Sequence, residues 1–268
     1  TYPGTLRGTG AVDRAIPCDP AHDFQPRAAD LEAAARGARS LLVNSPNNPT
    51  GVVYDRATWQ AIAKTCITHD LWLISDEVYD TQVWQGEHIS PRSLPDMQER
   101  TLVIGSMSKS HAMTGSRIGW ICGPVPVIEY LTNFATHTTY GVPGFIQDAA
   151  EFALSQGQEL EDEVAAPFRR RRRIALDLLT QQNLVRAVPC SGAMYLMLDM
   201  RATGLSGEAF AHALLDAHQI AVMPGESFGQ AAAGHIRVAM TVADDQFSEA
   251  LAVLLSFAAE ICENKRRF

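Results

Sequence analysis

The chain has 268 residues, 46% hydrophobic and 19% charged, with 22 basic against 30 acidic side chains and a formal charge of −8. This is an ordinary globular composition, long enough for one large domain or two modest ones. The acidic balance argues against a nucleic-acid partner, which needs a basic face, and no apolar run approaches the roughly 18 residues of a membrane span.

The chain opens without Met on Tyr2-Pro3-Gly4, a turn-like sequence, and is read as starting inside a longer protein. Three short apolar runs follow, each closed by small or polar residues. Leu41-Leu42-Val43 leads into Asn44-Ser45-Pro46-Asn47-Asn48-Pro49-Thr50-Gly51, Leu71-Trp72-Leu73-Ile74 into Ser75-Asp76-Glu77, and Leu102-Val103-Ile104 into Gly105-Ser106. They have the look of buried strands in a parallel sheet. Trp59, Ile62, Ala63 and Cys66 predict a helix over 56–69 between the first two, which makes a βαβ unit.

Helices are expected over 126–135, 146–155 and 159–182, the last carrying five consecutive arginines, Arg169 to Arg173. Five consecutive helical residues point all round the axis and form no single basic stripe, so this run is read as structural. Beyond it, strands at 195–198 and 236–239 alternate with helices at 207–217 and 244–261. The fold expected is α/β, a mostly parallel sheet sandwiched by helices, followed by a smaller α+β domain. The domains are read as 1–160, and 161–268 with a bridging helix. The loop Pro224 to Gly229 is a candidate moving part. Cys18, Cys66, Cys122, Cys190 and Cys262 are scattered and form no C-x-x-C pair. Neither a metal site nor a disulfide framework is expected, and a reducing, cytoplasmic setting is.

In open parallel sheets, ligands bind beyond the carboxyl ends of the strands. Those ends deliver Asn48, Asp76 with Tyr79, and Ser106-Met107-Ser108-Lys109. These residue types suit pyridoxal 5'-phosphate. A lysine amine forms a Schiff base with its aldehyde. A carboxylate keeps its pyridine nitrogen protonated, so that the ring acts as an electron sink. A phenol and an amide tune its 3-oxygen, and Ser106, Ser108 and Arg117 offer hydroxyls and a guanidinium to its phosphate.

The stretch Ser106-Met107-Ser108-Lys109-Ser110-His111-Ala112-Met113-Thr114-Gly115-Ser116-Arg117-Ile118-Gly119 resembles the cofactor-attachment signature of the class I/II aminotransferases. Asn48-Pro49-Thr50-Gly51 and Asp76-Glu77-Val78-Tyr79 resemble two further motifs of that family, in the same order. The resemblance implies the pyridoxal-phosphate transferase fold and transamination between an L-amino acid and a 2-oxo acid by a homodimer. It makes Lys109 the aldimine lysine and catalytic base, Asp76 the partner of the ring nitrogen, and Asn48 and Tyr79 contacts of the 3-oxygen. Ser106, Ser108 and Arg117 would bind phosphate, and Arg237, in His235-Ile236-Arg237-Val238, would grip the substrate α-carboxylate beside Asn48. The wording of 63–79, 108–115 and 225–237 is closest to arginine–pyruvate transaminases. A carbon–sulfur lyase, or an aminotransferase-like effector domain of a transcription regulator, is an alternative on the same scaffold. Family members carry a further N-terminal segment with a Gly-rich phosphate loop and a ring-stacking aromatic. If the chain is the whole molecule, weak cofactor binding and little turnover are expected.

Overall fold

The computed structural model describes residues 2–266. The first element, α1 (Tyr2–Gly8), buries none of its side chains. It corrects the turn expected at Tyr2-Pro3-Gly4: a proline in the first helical turn removes an N–H that has no intrahelical partner anyway. A second short helix, α2 (Ala28–Ala35), lies against a longer one, α3 (Arg56–Thr68). Asp55 caps α3 by accepting a hydrogen bond from the Thr58 N–H at 2.7 Å. One face of α3 then buries Trp59, Ile62, Ala63 and Cys66, the spacing of a single helical stripe.

Between these helices runs β1 (Ser40–Asn44), followed by β2 (Trp72–Asp76) and β3 (Thr101–Ser106). β1 pairs with β2, and β2 with β3, both in parallel, as expected. Asn44 lies opposite Asp76, and Asp76 opposite Ile104. The three carboxyl ends are therefore side by side, and the loops that leave them share one edge of the sheet.

A short helix, α4 (Met107–Ser110), leads to β4 (Gly119–Cys122), which returns antiparallel to β3 with Gly119 opposite Ser106. The sheet order is β1-β2-β3-β4. No strand was expected at 119–122. Three helices follow: α5 (Val125–Ala135), α6 (Gly144–Ser155) and α7 (Gln158–Thr180). α7 runs unbroken through Pro167.

A second, antiparallel sheet is built from β5 (Arg186–Ala187), β6 (Tyr195–Asp199), β7 (Met223–Pro224) and β8 (His235–Ala239), in the order β5-β6-β8-β7. Two helices, α8 (Gly207–His218) and α9 (Asp244–Arg266), contribute Phe210, Leu214, Phe247, Leu251 and Leu254 to a core with Leu196, Leu198 and Ile236. Fully burying a side chain of this size contributes about 1.5–3 kcal/mol.

The two sheets are joined through the Asn48 loop. Gly51 adopts φ +73°, and a Cβ added there would stand 2.9 Å from Cys190 Sγ, Gly192 O and Tyr195 O. Its carbonyl accepts hydrogen bonds from the N–H groups of Ser191 and Gly192 at 2.9 and 2.8 Å. Only glycine tolerates both the conformation and the approach. The arginine run is structural, as read. Arg169 lies 5.7 Å from the Trp84 ring centroid, Arg170 and Arg171 both engage Asp244, and Arg172 donates to the Cys190 carbonyl. Among the described residues no helix is long and apolar enough to cross a membrane.

Candidate active site

The residues leaving the parallel strands are tied to one another before any ligand is considered. Asn44, the last residue of β1, donates through Nδ2 to the Asp76 carbonyl at 3.0 Å and accepts through Oδ1 from the Asn48 N–H at 2.9 Å. The Glu77 N–H donates to the Ile104 carbonyl, which fastens the Asp76–Tyr79 turn to β3. Glu77 itself is 3% exposed and accepts from His88 Nε2 at 2.8 Å and Ser90 Oγ at 3.0 Å. A buried carboxylate needs such partners.

Asn48, Tyr79, Lys109 and Arg237 converge. Arg237 Nη1 donates to Asn48 Oδ1 at 2.9 Å, across 189 positions of sequence. That acceptor role leaves the Asn48 amide NH2 pointing elsewhere as a donor. The guanidinium carbon lies 4.4 Å from the Tyr195 ring centroid and 5.0 Å from that of Phe228. The Tyr79 hydroxyl meets the Tyr195 hydroxyl at 3.2 Å, and Lys109 Nζ stands 6.0 Å from the Tyr79 ring centroid. Burial, the Tyr195 hydroxyl and the Asp76 charge push the Tyr79 phenol well above its ordinary range, with Arg237 opposing them. Tyr79 therefore stays protonated and acts as a hydrogen-bond donor. Lys109 is held through its backbone: Gln82, 1% exposed, donates through Nε2 to the Lys109 carbonyl at 3.3 Å.

Asp76 sits at the end of β2, three residues before Tyr79, and its Oδ2 accepts a hydrogen bond from the Tyr2 hydroxyl. Partial desolvation and this carboxylate raise the Tyr2 phenol, although the residue stays partly exposed. Lys109 meets the segment that follows Asp76 at the Tyr79 ring and the Gln82 side chain.

Ser106, Ser108 and Arg117 form a different kind of group. Ser106 caps α4, its Oγ accepting from the Ser108 N–H at 3.1 Å. Arg117 is exposed, has φ +54° and donates to the Thr114 carbonyl at 3.0 Å, while Thr114 Oγ1 donates to the Ser108 carbonyl. The antiparallel return of β4 brings Arg117 back toward Ser106. Among the described residues no hydrogen bond joins these three side chains directly.

Five participants lay outside the sequence reading: Tyr2, Asn44, Gln82, Tyr195 and Phe228. Asn44 and Tyr195 stood within quoted runs, but nothing in their spacing marked them. Phe228 lay within the candidate moving loop and was given no part in the site. For Tyr2, a turn-like proline-glycine context hid the helix that aims it.

A family model described as "Aminotransferase class I and II" matches residues 1–254. The arginine–pyruvate transaminase AruH of Pseudomonas aeruginosa is 42% identical over 262 residues, covering 97% of this chain and 67% of that protein. The aspartate/prephenate aminotransferase of Thermus thermophilus is 34% identical over 258 residues, covering 94% and 65%. A solved Thermus thermophilus aspartate aminotransferase with maleate superposes at a TM-score of 0.85 and 34% identity, covering 95% of this chain and 67% of that one. The chain thus spans about two thirds of the length of these relatives. With the fold, the strand-end loops and the family match all in agreement, the chain belongs to the class I and II aminotransferases.

Proposed function

We propose that the protein carries the catalytic machinery of a pyridoxal-phosphate-dependent aminotransferase. It would move an amino group from an L-amino acid, arginine or another basic one, to a 2-oxo acid such as pyruvate. The observation that carries the reading is the convergence of Lys109, Tyr79, Asn48 and Arg237 beside the Asp76 strand end. The relatives' names, an arginine–pyruvate and an aspartate/prephenate aminotransferase, point the same way. The side chains fit the cofactor: an amine for the aldehyde, a carboxylate for the ring nitrogen, a phenol and an amide for the 3-oxygen. Arg237 Nε is buried without a partner, as suits a guanidinium awaiting an anion.

When bound, the cofactor supplies an electron sink for the bond broken at the substrate α-carbon. This chain's residues do the rest. Arg237 binds the α-carboxylate as a planar two-pronged donor, its orientation fixed by the Asn48 amide and the two aromatic rings. Lys109 Nζ would serve as the base that takes the proton from the substrate α-carbon and as the acid that delivers it to a second carbon. Tyr79, held protonated, donates a hydrogen bond to the 3-oxygen, and Asp76 favours a proton on the ring nitrogen. Ser106, Ser108 and Arg117 are assigned to the phosphate. We assign a homodimer in the cytoplasm as the setting: the family resemblance supports the homodimer, and the scattered, unpaired cysteines suit a reducing compartment.

The test is Lys109→Ala. It is expected to abolish the visible absorbance of the cofactor-loaded protein and to cut turnover by roughly a thousandfold or more. Retention of the absorbance band in this variant would overturn the assignment.

A further inference from the structure

Tyr195 belongs to none of the sequence motifs, yet it touches both the phenol and the guanidinium of the site. We propose that Tyr195 is a positioning residue that couples the substrate-carboxylate grip to the cofactor-facing phenol, by stacking under Arg237 and by donating its own hydroxyl hydrogen to Tyr79. The inference rests on the assignment of Tyr79 to the 3-oxygen and of Arg237 to the carboxylate.

The placement follows from the second sheet. Tyr195 opens β6 opposite Ala239, and Arg237 lies two residues back from Ala239 on β8, opposite Met197. With a side-chain period of two, Tyr195, Met197, Arg237 and Ala239 share one face, and a diagonal pair on that face is within reach of long side chains. Met197 on this face is fully buried in the core of the first sheet, so the face looks toward the Asn48 loop. The Tyr195 ring therefore lies 4.4 Å from the guanidinium carbon, at cation–π distance.

The hydroxyl end carries the second half of the argument. The two tyrosine rings meet edge-on, with centroids 5.9 Å apart and an interplanar angle of 80°, and their hydroxyls stand 3.2 Å apart. Two hydroxyls at this separation share one hydrogen. If Tyr79 donates, its hydrogen is spent on Tyr195. A hydroxyl rotates freely, and a ligand oxygen bearing negative charge favours the reverse direction. Tyr195 then donates to Tyr79, which frees the Tyr79 hydrogen for the ligand and strengthens it cooperatively. A guanidinium over the Tyr195 ring draws electron density from it and makes its hydroxyl a better donor. The charge that holds the substrate carboxylate thus also sharpens the hydrogen bond at the cofactor.

The experiment compares wild type, Tyr195→Phe and Tyr195→Leu, each loaded with pyridoxal phosphate, in two measurements. One is the pH midpoint of the bound cofactor's visible absorbance change. The other is KM and kcat for the amino-acid substrate. Tyr195→Phe keeps the ring and loses the hydroxyl. Its midpoint is expected to rise by about half a pH unit, because the weakened donor stabilises the anionic oxygen less, with KM within about twofold of wild type. Tyr195→Leu loses both contacts, and is expected to show the same midpoint shift together with a KM increase of roughly three- to tenfold. Thermal unfolding of each variant separates these effects from a loss of folding. Midpoints unmoved in both variants, or a KM increase in Tyr195→Phe equal to that in Tyr195→Leu, would overturn the coupling. A wild type with no Lys109-dependent absorbance takes down the cofactor assignment itself, and the coupling with it.

Discussion

The two ends of the candidate site are built on opposite principles. At one end Asn48, Tyr79, Lys109 and Arg237 are braced against each other and against the second sheet, through Asn44, Gln82 and Tyr195. At the other, Ser106, Ser108 and Arg117 bond mainly to their own backbone, and Arg117 faces solvent. The difference follows from the tasks proposed for them. Aiming a proton transfer demands fixed geometry, because small misplacements near the reacting atoms are costly. Holding a phosphate demands mainly charge and N–H groups, which a local loop supplies without long-range support.

The contrast makes mutations at the two ends behave differently. The largest effect is expected at Arg237. Arg237→Ala removes the proposed carboxylate partner and leaves Asn48 unbraced, so kcat/KM for the amino acid should fall on the order of 10²–10³-fold. Arg237→Lys should recover little of this, since an ammonium cannot replace a planar fork. Full activity in either variant would break the idea of a braced end.

Next comes Gly51, the joint between the two sheets. Gly51→Ala forces a side chain into a positive-φ position against three atoms at 2.9 Å. It should destabilise the protein by about 1–3 kcal/mol in denaturant unfolding. Arg117→Ala should do the reverse. Stability should stay within about 0.5 kcal/mol of wild type, as for most exposed sites, while pyridoxal phosphate binding measured by absorbance titration weakens roughly tenfold.

The smallest effect concerns acid. Hydrogen bonds from Arg170 and Arg171 hold the Asp244 carboxyl below its ordinary range, and Arg201 does the same for Asp199. A depressed folded-state pKa contributes stability that is present above the unfolded value and is lost as pH falls through the depressed one. Melting temperature should therefore decline on acidification below the usual carboxylate range. Asp244→Asn should flatten part of that decline by slightly lowering the melting temperature at neutral pH, where the ionised carboxylate contributes, while leaving the acid-side value nearly unchanged.

Much of this arrangement was legible in the order of residues. The three parallel strands announced themselves because each is short, apolar and closed by polar residues, and their ends carry the motifs. β4 escaped notice because Gly119-Trp120-Ile121-Cys122 directly continues the attachment signature and is exposed along its whole length, so no inward-outward alternation marks it. Tyr195 and Asn44 were out of reach for a different reason. Their importance lies in what stands opposite them across a sheet or a loop, and pairing between distant segments leaves no local signature. Phe228, in the candidate moving loop, lies against the Arg237 guanidinium, a contact its position in the sequence does not signal.

The Arg237–Asn48 hydrogen bond has a consequence for how the chain comes into being. Its two partners are separated by 189 positions. As the chain leaves the ribosome, the βαβ unit can assemble from neighbours in sequence, with the Asn48 amide unengaged. Only when the final antiparallel strand emerges does the guanidinium arrive, and such distant contacts form late because loop closure must come first. The grip proposed for the substrate carboxylate thus forms only after the second sheet has been paired.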